Sequence, residues 1–362
     1  MVANGPSGNP VRALAGIAVI AGAAALIFAW TGGWLTPNRI SGDTLIDALQ
    51  YNAGRIYAGF RRAHSKGVCV AGRFESNGAG TALSRAALFP AGSIPLIGRF
   101  NTNGSDPTGR DSTAVFHGLG LRFQLPDGEE WRMAMDQTPI FVVSNPADFE
   151  ALQIASKPDA ATGKPDPAKM GPFLATHLET KAFLEYMAKT PTPSSFANGT
   201  YHSINAFRFV DNNGVERSVR WQFNPETPFT ALDKNTLDSL PANFLFDDIL
   251  ARIKKGPVRW HMMVILANPG DQTDNATVQW QGEHKSIDVG TMVLDQVATE
   301  WEGNCRDYNY DPLILPKGVE RSDDPLLAAR SAAYSVSFRR RAIEGPRPDA
   351  ITLQERAEGG AK

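Results

Sequence analysis

The chain reads as an α+β protein: an antiparallel β-barrel with flanking helices, preceded by one N-terminal transmembrane helix. Three observations predict this. Short β-type runs bounded by Gly, Asn, Asp or Pro fall in two groups, at 68–135 and 203–302. Stretches with helical apolar spacing interrupt and follow them. An uncharged apolar run stands near the N-terminus, at 13–30.

The N-terminal run, ALAGIAVIAGAAALIFAW, is about as long as the shortest bilayer span. Gly32, Gly33, Trp34 and Leu35 extend it, and Trp30 and Trp34 suit an aromatic belt. Residues 1–12 are expected to be a disordered cytoplasmic tail, 13–35 an anchor and 36–41 a linker. Arg12, the sole charge before the run, places the remainder of the chain on the outer, periplasmic side. A cleaved signal peptide is the alternative. The run is long for that, and no small-x-small site follows it.

Residues 43–62 place Leu45, Ile46, Leu49, Ala53, Ile56 and Phe60 at helical spacing, with Ser41 as a cap. Lys66-Gly67 ends the pattern. Strands are predicted at 68–74, 96–100, 114–124 and 131–135, with Pro126-Asp127-Gly128 as a turn. Residues 157–169 form a polar loop and 172–189 a helix. Strands at 203–210 and 216–223 make a hairpin through Asp211-Asn212-Asn213-Gly214. A helix at 243–255 stops at Gly256-Pro257, and strands follow at 258–267 and 292–302. The last helix spans 324–341, with Asp323 or Asp324 as cap and Pro325 in its first turn. The folded domain is thus 36–342, and 343–362 is a flexible tail.

The 362 residues are 42% apolar and 20% charged with net charge −2, which is ordinary for a globular protein and argues against nucleic-acid binding. Cys69 and Cys305 are too few for a disulfide framework. A chain this long needs no staple, and a pairing requires a domain outside the cytoplasm.

Two places carry possible chemistry. On the last helix Arg330, Tyr334, Ser337 and Arg341 share a stripe. It reads as a solvated face, or as a guanidinium one turn from a tyrosine, favouring the phenolate, a ligand for ferric iron. His64 follows the first helix, where a lone histidine is usually structural or exposed. The remaining histidines have no metal-ligand spacing, and no Walker, Rossmann or nucleophile-elbow motif occurs.

Five motifs in order decide between these readings. They are Arg61-Arg62-Ala63-His64-Ser65-Lys66-Gly67, Arg99-Phe100-Asn101-Thr102, Gly118-Leu119-Gly120-Leu121-Arg122-Phe123, Asp136-Gln137-Thr138-Pro139-Ile140-Phe141 and Arg330-Ser331-Ala332-Ala333-Tyr334. Over 43–342 the chain resembles the haem catalase superfamily, and in particular its short branch, the catalase-related peroxidases. The resemblance implies a catalase-like barrel and haem b, since there is no covalent attachment motif. It implies Tyr334 as the axial iron ligand, paired with Arg330, and His64 as the distal acid–base group that moves the peroxide proton. It implies Arg61, Arg99 and Arg341 as partners of the haem propionates, and Phe149 as a ring on the haem face.

The chain also departs from the pattern. Asp136 stands where the family has its distal asparagine, with Gln137 beside it. An ionised carboxylate donates no hydrogen bond, whereas a protonated Asp136 or Gln137 does. Asn101 replaces a small hydroxyl residue, so Asn101 or Thr102 is expected to orient the imidazole. Phe338, Arg339 and Arg340 follow where the family is rich in His and Arg. The segment 187–201 is compressed, and the arm and C-terminal domain of large catalases have no counterpart. The expectation is a monomer or dimer without NADPH, open to hydrogen peroxide and organic hydroperoxides, taking electrons from an unidentified donor such as a membrane cytochrome. Catalase proper, a hydroperoxide-rearranging haem enzyme and a tethered haem- or lipid-binding barrel are the rival readings.

Overall fold

The computed structural model describes residues 10–31, 35, 40–303, 305–345 and 349–351. The chain divides into two units, Met1–Ser41 and Gly42–Lys362. The first holds α1 (Pro10–Thr31), whose segment Val11–Thr31 is long and apolar enough to cross a membrane and is exposed along its length. The helix starts inside the stretch expected to be disordered, because Pro10 has its backbone preset for a first helical turn. Residues 1–9, 32–34 and 36–39, which belong to the expected tail, anchor end and linker, lie outside the described residues.

The second unit is built on antiparallel strands. They are β1 (Gly67–Ser76), β2 (Gly92–Thr102), β3 (His117–Gln124), β4 (Glu130–Asp136), β5 (Tyr201–His202), β6 (Phe207–Val210), β7 (Glu216–Pro225), β8 (Val258–Leu266), β9 (Ser286–Ala298) and β10 (Val319–Arg321). Strands β1 to β5 pair in sequence, β5 pairs with β7, β7 with β8, β8 with β9, and β9 returns to β1. The circuit closes, so these eight strands have no free edge. Strands β6 and β10 extend it from β7.

Along β1–β4 apolar residues alternate with others, so one set fills the barrel while the other faces out. Phe74, Phe100, Phe123, Trp131 and Trp260 are buried in the core, and Trp131 meets Trp221 edge to face at 5.3 Å.

The helices are α2 (Gly42–Ala53), α3 (Pro146–Ala155), α4 (Pro167–Thr176), α5 (Leu178–Lys189), α6 (Lys234–Ser239), α7 (Phe244–Lys255) and α8 (Pro325–Ala342). Helix α2 packs on α8 and on α3. It stops at Ala53 rather than near Arg62, because Gly54 takes a left-handed φ of 70°. His64 therefore sits on a loop. The helix expected at 172–189 is two helices, broken at His177, and α4 begins earlier because Asp166 caps it. Helix α3 was not expected from the sequence; Asn145 caps it, with Pro146 in its first turn.

Two further differences bear on the site. The last long strand ends at Ala298, so 299–302 form a turn instead, closed by Gly303 N donating to Thr299 O at 2.8 Å. Beyond it Cys305 is joined to Cys69 of β1 in a disulfide, against the expectation from chain size. Size bears on global stability; the pairing follows from the turn folding back on β1 until the two Cα atoms are 5.3 Å apart. The tail expected to be loose from residue 343 is docked at 349–351. Ile351 is buried, and Asp349 Oδ1 accepts from Trp301 N at 2.6 Å.

Candidate active site

A cavity of about 760 Å³ lies on the outer face of β2–β4, closed by α2, α3, α4, α5 and α8. Its floor comes from register. Asn101, Gly118 and Asp136 are adjacent across β2, β3 and β4, and so are Arg99, Gly120 and Ala134. The small residues in the middle make the wall flat. A Cβ on Gly118 would lie 2.5 Å from Asn101 Oδ1 and 3.1 Å from Asp136 Oδ1, so only glycine leaves both side chains their positions.

His64 reaches this floor from the loop before β1. It adopts a left-handed φ of 55°, which costs roughly 1–2 kcal/mol for a non-glycine residue. Surrounding bonds hold it there. Arg99 Nη1 donates to His64 O at 2.8 Å and Arg99 Nη2 to Ser65 O at 3.0 Å. Lys66, also buried, donates to Asp111 Oδ1 at 2.6 Å and to the carbonyl oxygens of Gly109 and Ala242.

The imidazole orientation is equally determined. Nδ1 lies 2.7 Å from Asn101 Oδ1, and Asn101 Nδ2 donates to Arg99 O. The amide oxygen therefore accepts from Nδ1–H, and Nε2 is left as the basic nitrogen of a neutral ring. Burial lowers the His64 pKa below its usual 6.5, with Asp136 and the Asn101 bond opposing. Asn101 orients the imidazole, and no described bond assigns this to Thr102.

Asp136 is buried, and burial raises its carboxyl above the ordinary range, against the pull of His64 and Arg330. The expected alternative donor, Gln137, is not in the cavity wall. Successive strand residues face opposite sides, and Asp136, the end of β4, takes the cavity side. Gln137 N donates to His117 O instead, and its Oε1 is buried without a described partner.

Helix α8 contributes Arg330, Tyr334 and Arg341 to the lining. The described bonds of Arg330 go to Asn205 Oδ1 and to Ala134 O at 2.8 Å rather than to Tyr334. Arg330 thus ties α8 to β4, one turn before the tyrosine. Tyr334 is half-buried and packs with Tyr308 and Tyr310 against the Cys69–Cys305 disulfide. Phe149 lies in the wall and stacks with Phe141 at 6.1 Å.

The arginines form a second cluster around a residue the sequence did not single out. Arg61 Nη1 and Arg99 Nε donate to Glu300 Oε1 at 3.1 and 2.7 Å, and Arg99 Nη2 donates to Oε2 at 3.1 Å. Arg61 also donates to the carbonyl oxygens of Arg306 and Tyr308, and Arg341 to that of Tyr308. Burial raises the Glu300 carboxyl, but Arg99, Arg61 and Arg341 outweigh it and hold it below the usual range.

Phe116, Tyr310 and Asn309 complete the wall and were likewise missed. The alternating glycines of Gly118-Leu119-Gly120 were the legible signal for a flat floor.

These residues fit a haem. The wall is flat and largely apolar, Tyr334 brings a phenol oxygen of the kind that ligates haem iron, and buried arginines form a place for carboxylates, as Glu300 shows. Fold and donor set together define a haem-binding barrel scaffold. The chain belongs to the catalase family, whose model matches residues 39–353. A catalase-related peroxidase of Synechococcus elongatus is 37% identical over 329 residues, covering 91% of this chain and 95% of that one. A catalase-related peroxidase of Mycolicibacterium paratuberculosis is 30% identical over 310 residues, covering 85% and 96%. The solved structure of catalase A from Saccharomyces cerevisiae superposes with a TM-score of 0.72 at 20% identity, over 82% of this chain and 64% of that one.

Proposed function

We propose that this chain is a haem peroxidase, anchored in a membrane by 13–35, that reduces hydrogen peroxide and organic hydroperoxides with electrons from an external donor. The observation that carries the reading is the His64–Asn101 hydrogen bond, which leaves a basic Nε2 for a cavity also lined by Tyr334. Haem b would be held by the Tyr334 phenol oxygen and by Arg61, Arg99 and Arg341 as partners for its carboxylates, and would supply the iron at which peroxide is reduced.

The chain's own residues handle protons and orientation. His64 Nε2 would take the proton from one peroxide oxygen and deliver it to the other. The O–O bond breaks, and the departing group is water from hydrogen peroxide or an alcohol from an organic hydroperoxide. The net reaction would take two electrons and two protons from the donor and give two waters from hydrogen peroxide, or an alcohol and water from an organic hydroperoxide. Asp136, which burial biases toward its neutral form, offers an O–H donor to the bound peroxide. Arg330 fixes α8 against β4 and so sets where Tyr334 stands. The disulfide supports a domain on the outer, oxidising side.

The test uses the full chain in detergent with haem supplied, beside Tyr334→Phe. The expected result is a high-spin ferric tyrosinate-type spectrum and peroxide-driven dye oxidation, both lost in the variant. Failure of the wild type to take up haem would overturn the reading. Family membership also favours dismutation as a second reading. The ratio of oxygen released to dye oxidised separates the two.

A further inference from the structure

The resemblance gives Arg99 to a haem propionate; the geometry gives it a further task. At least four of the five guanidinium N–H groups are already used, two on Glu300 and one each on the carbonyls of His64 and Ser65. The guanidinium lies against the backbone of Gly67, where a Cβ would sit 2.3 Å from its central carbon. Both partners of the ion pair are buried. Both edges of this planar fork are thus held inside the protein, one by Glu300 and one by the two carbonyls.

The bonds run in one direction. The turn 299–302 is tied to the C-terminal segment by Asp349 and is followed by Cys305, which the disulfide fixes to β1; the turn presents Glu300. Glu300 fixes the fork of Arg99. Arg99 fixes the carbonyls of His64 and Ser65, and its own carbonyl accepts from the Asn101 amide that orients the imidazole. Arg61 holds Glu300 from the other side, and a void of about 10 Å³, enough for one water, borders Glu300, Arg61 and Ser65.

We infer that Glu300 is a positioning residue for His64, acting through Arg99. The left-handed backbone of His64 makes such support necessary, since a loop residue with φ of 55° relaxes once its carbonyl is released. The inference rests on the peroxidase reading for the use of His64, and on geometry alone for the support itself.

The test reads the histidine directly. The full chain without haem, with histidine labelled at Cε1, is titrated by NMR as wild type, Glu300→Gln and Glu300→Asp. Groups facing the ring are Asp136, Arg99 and Arg330, with Asn101 bonded to it, and they are unchanged in the Glu300 variants. In Glu300→Gln the His64 resonance is expected to move and its midpoint to rise toward 6.5, as the loop opens to solvent. Glu300→Asp restores part of the shift, because the charge is kept. An unmoved His64 signal in a folded Glu300→Gln variant overturns the inference. Should Glu300→Gln not fold, Arg99→Lys, which keeps the charge and loses the fork, gives the same histidine readout. A wild type that takes up no haem defeats the peroxidase reading and leaves the histidine measurement intact.

Discussion

Asn101 Oδ1 accepts the Nδ1–H of His64 at 2.7 Å, and the glycine beside Asn101 on the neighbouring strand makes this bond sterically possible. Which ring nitrogen of His64 is left basic is thus set by a side chain two strands into a barrel.

His64→Gln is therefore expected to slow peroxide cleavage by about 10²–10⁴-fold, the range for a lost general acid–base group. Gly118→Ala should reproduce part of that loss at a distance, because its new Cβ lands 2.5 Å from Asn101 Oδ1. Stopped-flow mixing with peroxide checks both. An unchanged rate in Gly118→Ala, with the fold intact, would show that the Asn101 bond does not govern the step.

Activity should hold well into weak acid. Burial lowers the His64 pKa below 6.5, so Nε2 stays basic through that value and is lost only as pH falls through the lowered one. Stability has the matching sign. The unfolded chain binds this proton first, so folding weakens as pH falls from 6.5. A dye-oxidation profile falling with a midpoint at or above 6.5 would contradict the assignment.

Asp136→Asn should stabilise the protein at neutral pH. The folded carboxyl has its pKa raised above 3.8 by burial, so the folded state holds a proton the unfolded state has released. Stability falls as pH rises through that window, and the amide removes the loss. Its gain in Tm should shrink as pH drops to about the unfolded carboxylate value. The same variant should raise oxygen release relative to dye oxidation, since an amide donates to peroxide at every pH.

Removing the disulfide by Cys69→Ser with Cys305→Ser should cost on the order of 2–4 kcal/mol. Thermal melts with and without reductant measure it. Equal Tm values in all samples would mean the thiols are unpaired.

Much of the architecture was readable along the chain. The barrel strands, α7 and α8 each carry a local signal, in apolar alternation, helical spacing or a capping Asp-Pro pair. His64 and Tyr334 were recognisable because their neighbours form motifs. Helix α3 was overlooked although Asn145-Pro146 is a start signal, and α2 ran on because apolar spacing continued past Gly54. Both are errors in weighing punctuation against period.

What the amino-acid order determined by itself was local: which segments bury alternate faces, where helices begin, and which residues carry titratable or ligating groups. What only the tertiary structure decided was which of those groups meet. Cys69 and Cys305 are 236 residues apart, Arg99 and Glu300 lie on different elements, and Gln137 turns away while its neighbour Asp136 turns in. Side-chain direction on a strand depends on register, and register is set by pairing with a neighbour elsewhere in the chain. Ion pairs and disulfides close when the barrel closes, so their partners have no signature in sequence spacing.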